Sequence, residues 1–355
     1  MSDLKKIAKS IVRKIEEGGK TAIIKVPEVI KTTSSDAKKT IDKAKTSIIS
    51  TADQDGNGVI DSYDLILIAL KVPGVKIKRA DFLQKELFKY CPQDTIDKAI
   101  AQNPAKAGID KKTIDRIAEE VIKFERNAVS GISAALGMPG GAAMAATIPA
   151  DIAQYYGYML RAAQKLLYLY GFPDIGAKEN DVNLDSETMN SLTICLGVMY
   201  GVASANNAIK AMAKALAVGV EKQLLKRALT KGAIYPVVKA VAKWFSVKMT
   251  KEVFAGFFKK AIPVAGGVIG GGITFLSFKP CCDRLKNALM DTILSNPEHV
   301  ESEEETKLFE SIQGGIIDVD AEDIVVIDED IIEENENNIK IDESKEDKTD
   351  KEQQQ

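Results

Sequence analysis

The sequence predicts an all-α fold: a multi-helix bundle with buried glycine- and alanine-rich hairpins, one helix-loop-helix unit and a disordered acidic C-terminal tail. Apolar residues make up 45% of the 355 residues and aromatic residues only 6%, so small and aliphatic side chains must fill the core. Such a composition favours closely packed helices over a β-sandwich. Apolar residues also recur at helical spacing, and three long segments carry no charge.

Changes in composition divide the chain into four predicted regions. An amphipathic helix and a linker occupy residues 1–35, and the helix-loop-helix unit occupies 36–72. A helical domain follows over 73–297. It includes an amphipathic helix over 111–126 with apolar positions at Ile114, Ile117, Val121, Ile122 and Phe124. Residues 298–355 form the acidic tail, which is too charged to build a core and is expected to be largely disordered.

The net charge of -3 is the sum of two regions of opposite charge. The tail contains 22 acidic residues and five lysines, a net charge of -17, which leaves +14 on the remaining 297 residues. A basic body attracts anionic lipid, nucleic acid or its own tail, and the acidic tail can recruit a protein partner. No nucleic-acid partner is expected, because helix-turn-helix, zinc and aromatic-glycine RNA motifs are missing from the sequence.

An aspartate-rich stretch begins at Asp53 and predicts a metal site. It resembles the twelve-residue calcium loop of the EF-hand superfamily over about residues 40–72. The resemblance implies side-chain or carbonyl oxygen ligands for Ca²⁺ from Asp53, Asp55, Asn57, Val59, Asp61 and Asp64. Gly58 is expected to supply the sharp turn at positive φ. The last position is Asp64 instead of the usual glutamate, as in dockerin-type loops. The shorter side chain loosens the ligand shell or favours magnesium. A bracing role for the ion is favoured over a regulatory one.

Three uncharged segments, 127–150, 188–209 and 261–278, are either buried helices of the bundle or hairpins that enter a membrane. The first ends at Ala150 of Pro149-Ala150-Asp151, and the third begins within the sequence KKAIPVAGGVIGGG. Together with Tyr170-Gly171, these elements resemble the EcsC family over about residues 95–295. The resemblance implies a helical bacterial protein linked to membrane transport or secretion, and it supplies no catalytic residues.

The strongly basic region 210–260 contains twelve lysines or arginines and two glutamates. Trp244 and Phe245 fall near the apolar edge of a predicted cationic helix, which suits an anionic membrane surface. The alternative is a solvated face that balances the acidic tail. The charged N-terminus does not fit a signal peptide, so a cytoplasmic location is expected, peripheral at the inner face of the cell membrane.

Catalytic chemistry finds little support in the sequence. His299 is the sole histidine, the four cysteines are expected to be reduced thiols, and no phosphate-binding or nucleophile motif occurs. Asp151 is expected to cap a helix that runs to Tyr170. The preferred interpretation is a non-catalytic, membrane-associated protein with a calcium site, accessory to transport or secretion. The alternatives are an enzyme or small-ligand carrier with a site near Asp151, and a membrane-inserting effector or immunity factor.

Overall fold

The computed structural model describes residues 53, 54, 56, 60–137, 148–175, 185–246 and 266–315. These residues contain eleven α-helices and no β-strand, so the predicted all-α class is confirmed. In chain order the helices are α1 (Ser62–Leu70), α2 (Arg79–Leu87), α3 (Gln93–Ala101), α4 (Lys111–Gly137), α5 (Ile148–Leu169), α6 (Ser186–Met199), α7 (Ala203–Ala217), α8 (Lys222–Lys231), α9 (Tyr235–Trp244), α10 (Gly266–Met290) and α11 (Glu303–Gln313). The predictions for residues 1–35 and for the tail beyond 315 lie outside the described residues.

The centre of the bundle is α6, which packs against α1, α5, α7, α8, α9 and α10. This helix is buried from Thr188 to Met199, apart from the half-buried Ser191. A helix that is covered on all sides belongs to the core of a protein. The part of the second uncharged segment that forms α6, residues 188–199, is therefore enclosed by the bundle.

Small residues allow the closest approach between helices. α4 and α10 form the largest interface, and a Cβ atom added at Gly271 would lie 2.9 Å from Ala134 Cβ and 3.1 Å from the Ser130 carbonyl oxygen. In α6, a Cβ atom at Gly197 would lie 2.6 Å from Val241 Cγ2. Such distances are shorter than ordinary van der Waals contact, so both positions favour glycine.

Charged residues also lie inside the bundle. The helical pattern of α4 predicts a core position at Phe124, but 62% of this residue is exposed, so that prediction is wrong. Its neighbour Glu125 is fully buried instead and forms ion pairs with Arg161 Nε at 3.0 Å and Lys165 Nζ at 2.5 Å. Two cations of α5 thus compensate for the burial of the carboxylate, which is the condition for placing a charge in a core.

The helical body continues past the boundary predicted at residue 298. Ser302 caps α11 by accepting a hydrogen bond from Glu305 N, and α11 packs against α7 and α8. Phe309 and Ile312 of α11 are buried. The first part of the acidic region therefore belongs to the fold. Among the described helices, none is long and apolar enough to cross a membrane.

Candidate functional site

The aspartate-rich loop leads directly into α1. Asp61 is the N-cap of this helix, and its Oδ1 accepts hydrogen bonds from Tyr63 N at 2.7 Å and Asp64 N at 3.2 Å. Asp64 Oδ2 accepts a hydrogen bond from Asp61 N at 3.1 Å, which completes a capping box. This reciprocal pair satisfies amide groups that a helix end otherwise leaves without partners.

The same carboxylate joins the two ends of the loop. Asp64 is only 1% exposed, and its Oδ1 accepts a hydrogen bond from Gln54 N at 2.7 Å. At the other end, Asp53 Oδ1 accepts a hydrogen bond from Gly56 N at 2.8 Å, and Gly56 has a φ of +73°. The residue after the first predicted ligand position is therefore bound to the last one. Gly58, for which the sequence predicts a positive φ, lies outside the described residues.

Half of the predicted ligand set is described. Asp53, Asp61 and Asp64 lie at the ends of the loop, and positions 55, 57 and 59 lie outside the described residues. Within the part of the chain that the structure describes, no three histidine, cysteine or acidic side chains converge as a group that could hold a metal ion. The predicted donor set is composed of oxygen atoms throughout, which suits a hard cation such as Ca²⁺.

The basic region forms a charged surface on α8 and α9, but Trp244 and Phe245 face inward. Trp244 is 8% exposed and Phe245 fully buried, and their rings lie 5.6 and 5.1 Å from the ring of Tyr200. The expectation that they lie near the edge of a membrane-facing helix is therefore wrong. The apolar side of α9 is used by the core, and membrane contact here would have to depend on charge.

The basic residues in this region differ in their partners. Lys210 Nζ contacts Asp291 Oδ2 at 2.5 Å, and Lys214 pairs with Glu301. The exposed cations of α8 and α9 are Lys222, Lys226, Arg227, Lys231, Lys239 and Lys243. Lys226 Nζ lies 3.9 Å from Glu187 Oε2, and such a long contact to an exposed lysine contributes little. Part of the basic charge thus binds the start of the acidic region, and part faces solvent.

Asp151 lies in a small polar cluster inside the bundle. α5 begins at Ile148, so Asp151 lies in its first turn and is not its N-cap. Ser133 Oγ donates a hydrogen bond to Asp151 Oδ1 at 2.6 Å, and Thr274 Oγ1 donates one to Ser133 Oγ at 3.1 Å. All three side chains are buried. The cluster joins α4, α5 and α10, and this gives Asp151 a structural role in the packing of the uncharged segments.

His299 is held between two acidic residues where α11 meets the body. Its Nδ1 lies 3.0 Å from Asp291 Oδ1 and its Nε2 lies 2.9 Å from Glu305 Oε2. Its side chain is 1% exposed. Burial by itself lowers the pKa of His299, but the hydrogen bonds to Glu305 and Asp291 outweigh burial and raise it. The imidazolium form therefore favours the docked position of α11.

The cysteines are free thiols, and those within the helices are buried. Burial raises the pKa of Cys195 to about 12 and that of Cys281 to about 11. A cysteine attacks as its thiolate, so these protonated side chains are poor nucleophiles at neutral pH.

A cavity of about 310 Å³ lies between the C-terminal end of α5 and helices α6, α7 and α8. Its walls are mainly apolar, and its charged lining residues are Asp174, Asp185, Glu187 and Lys222. Asp151 does not line it. The sequence contains no local signal for this cavity, because residues as distant in the chain as Leu167 and Leu229 build its walls.

Comparison of the chain with protein-family models, curated proteins and solved structures found no match.

Proposed function

We propose that this chain is a non-catalytic helical protein in which a calcium ion bound by the loop 53–64 braces α1 against the bundle. The observation that carries the proposal is the Asp64 carboxylate, which joins the Gln54 and Asp61 backbones across the loop. A cation held there would also bind the first turn of α1, whose side chains Leu65 and Ile66 are buried in the core. The ion would then stabilise the fold by mass action.

The proposal includes association with an anionic membrane surface. The exposed cations of α8 and α9 support it, because each lysine or arginine near such a surface contributes about 1 kcal/mol. The buried Trp244 and Phe245 argue against insertion of an apolar helix face. The proposed contact is therefore electrostatic, peripheral and sensitive to salt, in keeping with a cytoplasmic protein of the EcsC type.

Flotation of the full chain with vesicles of phosphatidylserine and phosphatidylcholine tests the membrane part. We expect binding at low salt that is lost at high salt, and no binding to phosphatidylcholine alone. Binding that resists high salt and carbonate would favour a membrane-inserting effector or immunity factor instead. Absence of binding to either vesicle would end the membrane proposal.

Calorimetric titration of calcium into the full chain tests the metal part. We expect one site per chain and its loss in Asp53→Ala. Asp81→Ala is the matched control, because Asp81 is an exposed aspartate of α2 outside the loop. The proposal fails if the Asp53→Ala variant releases the same heat as the native chain.

A further inference from the structure

The cavity between α5, α6, α7 and α8 has the size of a small-molecule site. Its volume is about 310 Å³. A cavity of about 150 Å³ with apolar walls is enough to bind benzene, so this volume suits a ligand of about ten non-hydrogen atoms. Protein interiors are close-packed and contain few voids larger than one water molecule. Pockets that bind small molecules begin at about 300 Å³ and are lined mainly by apolar side chains.

The inner walls of the cavity are buried apolar side chains from four helices. They include Leu167 of α5, Ile194 of α6, Ile209 and Met212 of α7, and Leu225 and Leu229 of α8. Such walls favour an apolar ligand over water, because a bound water needs two to four polar partners. An apolar ligand would also gain dispersion contacts with the walls that surround it.

Charged residues surround the mouth of the cavity, and their charges balance. The acidic lining residues are Asp174, Asp185 and Glu187, and the basic one is Lys222. Lys226 approaches Glu187 from outside the lining, with 3.9 Å between Nζ and Oε2. Arg79 faces Asp174: burial lowers the pKa of the guanidinium, and the Asp174 carboxylate opposes this shift. Three carboxylates are therefore matched by three cations.

The carboxylates at the mouth also accept hydrogen bonds from the protein. Asp185 Oδ1 accepts one from Thr188 N at 2.8 Å, and Asp174 Oδ1 accepts one from Tyr168 Oη at 3.3 Å. A charged ligand would lose hydration on entry without meeting an excess of opposite charge among these groups, and this loss is costly. An uncharged ligand does not incur this cost.

The hydroxyl groups that line the cavity donate to the backbone. Thr188 Oγ1 donates a hydrogen bond to the Ile175 carbonyl at 2.7 Å, and Ser191 Oγ donates one to the Glu187 carbonyl at 2.9 Å. Recognition would therefore depend on the apolar fit, with little directional hydrogen bonding from these two residues.

We infer that this cavity binds an uncharged, mainly apolar molecule of about ten non-hydrogen atoms. Lys222 belongs both to the mouth of the cavity and to the basic surface of α8 and α9, so the two features adjoin. They act through different forces. The cavity would bind by burial of apolar surface, whereas the basic surface attracts by charge, which salt screens.

The test is calorimetric titration of the full chain with three probes of equal chain length: 1-octanol, octylammonium and octanoate, all below micelle-forming concentrations. We expect saturable binding of one 1-octanol per chain and affinities for both ions that are weaker by about tenfold or more. Absence of saturable 1-octanol binding would overturn the inference. An ion that binds as tightly as 1-octanol, or more tightly, would overturn the assignment of an uncharged ligand.

Salt separates this site from the basic surface beside it. The affinity for 1-octanol should be retained at high salt, where vesicle flotation is lost. A 1-octanol affinity that falls with salt as flotation does would place the probe on the charged surface and contradict binding in the cavity.

Two variants test the location. Met212→Trp fills the buried part of the cavity, and Val220→Trp obstructs its half-buried rim if the first variant does not fold. Each folded variant should lose 1-octanol binding, and retained affinity would place the ligand elsewhere. Val218→Trp is the matched control, because Val218 is 56% exposed and does not line the cavity. It should bind as the native chain does, and an equal loss in this control would contradict the location.

Discussion

His299 Nε2 lies 2.9 Å from Glu305 Oε2, and this contact joins the residues after α10 to the first turn of α11. Asp291 holds the other imidazole nitrogen and also accepts a hydrogen bond from Lys210 Nζ. The beginning of the acidic region is thus attached to the basic body through specific pairs that include the sole histidine.

The stability of this contact should depend on pH. The pKa of His299 is raised in the folded protein, so protonation contributes stability that is fully present below the unfolded value of about 6.5. This contribution is lost as the pH rises through the folded pKa. Urea unfolding of the native chain and of His299→Gln should show the larger difference in free energy of unfolding at pH 6 and the smaller one at pH 9. A difference that is independent of pH, or that grows with pH, would contradict this account.

The packing of α4 against α10 should depend on one of two adjacent glycines. Gly271→Ala would place a Cβ atom against Ala134 and the Ser130 backbone, and we expect a loss of about 1–3 kcal/mol in the free energy of unfolding. Gly272→Ala is the control, because a Cβ atom there meets no atom within 4 Å. It should be neutral or stabilise by up to about 1 kcal/mol. Equal effects of the two substitutions in urea unfolding would show that the interface is not as close as described.

Glu125 and Phe124 are adjacent in α4, and substitution of the buried glutamate should reduce the free energy of unfolding more than substitution of the exposed phenylalanine. Glu125→Gln removes the buried charge that pairs with Arg161 and Lys165 and should cost about 3–5 kcal/mol. Phe124→Ala changes an exposed side chain and should cost less than about 1 kcal/mol. Thermal unfolding of both variants tests the prediction. A larger loss for Phe124→Ala would restore the core position that the helical pattern predicts.

The membrane contact should depend on the exposed cations of α8 and α9. Replacing Lys231, Lys239 and Lys243 by glutamine removes three exposed charges and should weaken vesicle flotation at low salt. Replacing Lys111 and Lys112, which are exposed at the start of α4, should have a smaller effect because they lie outside this basic surface. If both sets reduce flotation equally per charge removed, binding depends on net charge and not on this surface.

The sequence predicts the helical class and several helices because local composition and period determine them. The helix over 111–126 and the helix after the aspartate-rich loop are both present, as α4 and α1. The partners of Glu125 could not be predicted, because Arg161 and Lys165 are 36 and 40 positions away and only tertiary packing brings them together. α11 lies in the region assigned to the acidic tail, but its start could have been predicted from the sequence. Ser302 and Glu305 have the spacing of a capping box, and apolar residues follow at helical intervals.

The most direct test of the central claim is the calcium titration of the loop. Calorimetry on the full chain should show one calcium site whose heat disappears in Asp53→Ala and persists in Asp81→Ala. At a free calcium concentration of about 100 times the Kd, the native chain should gain about 2.7 kcal/mol in its free energy of unfolding. Calcium heat and stabilisation that are unchanged in Asp53→Ala, or absent from the native chain, would contradict the account.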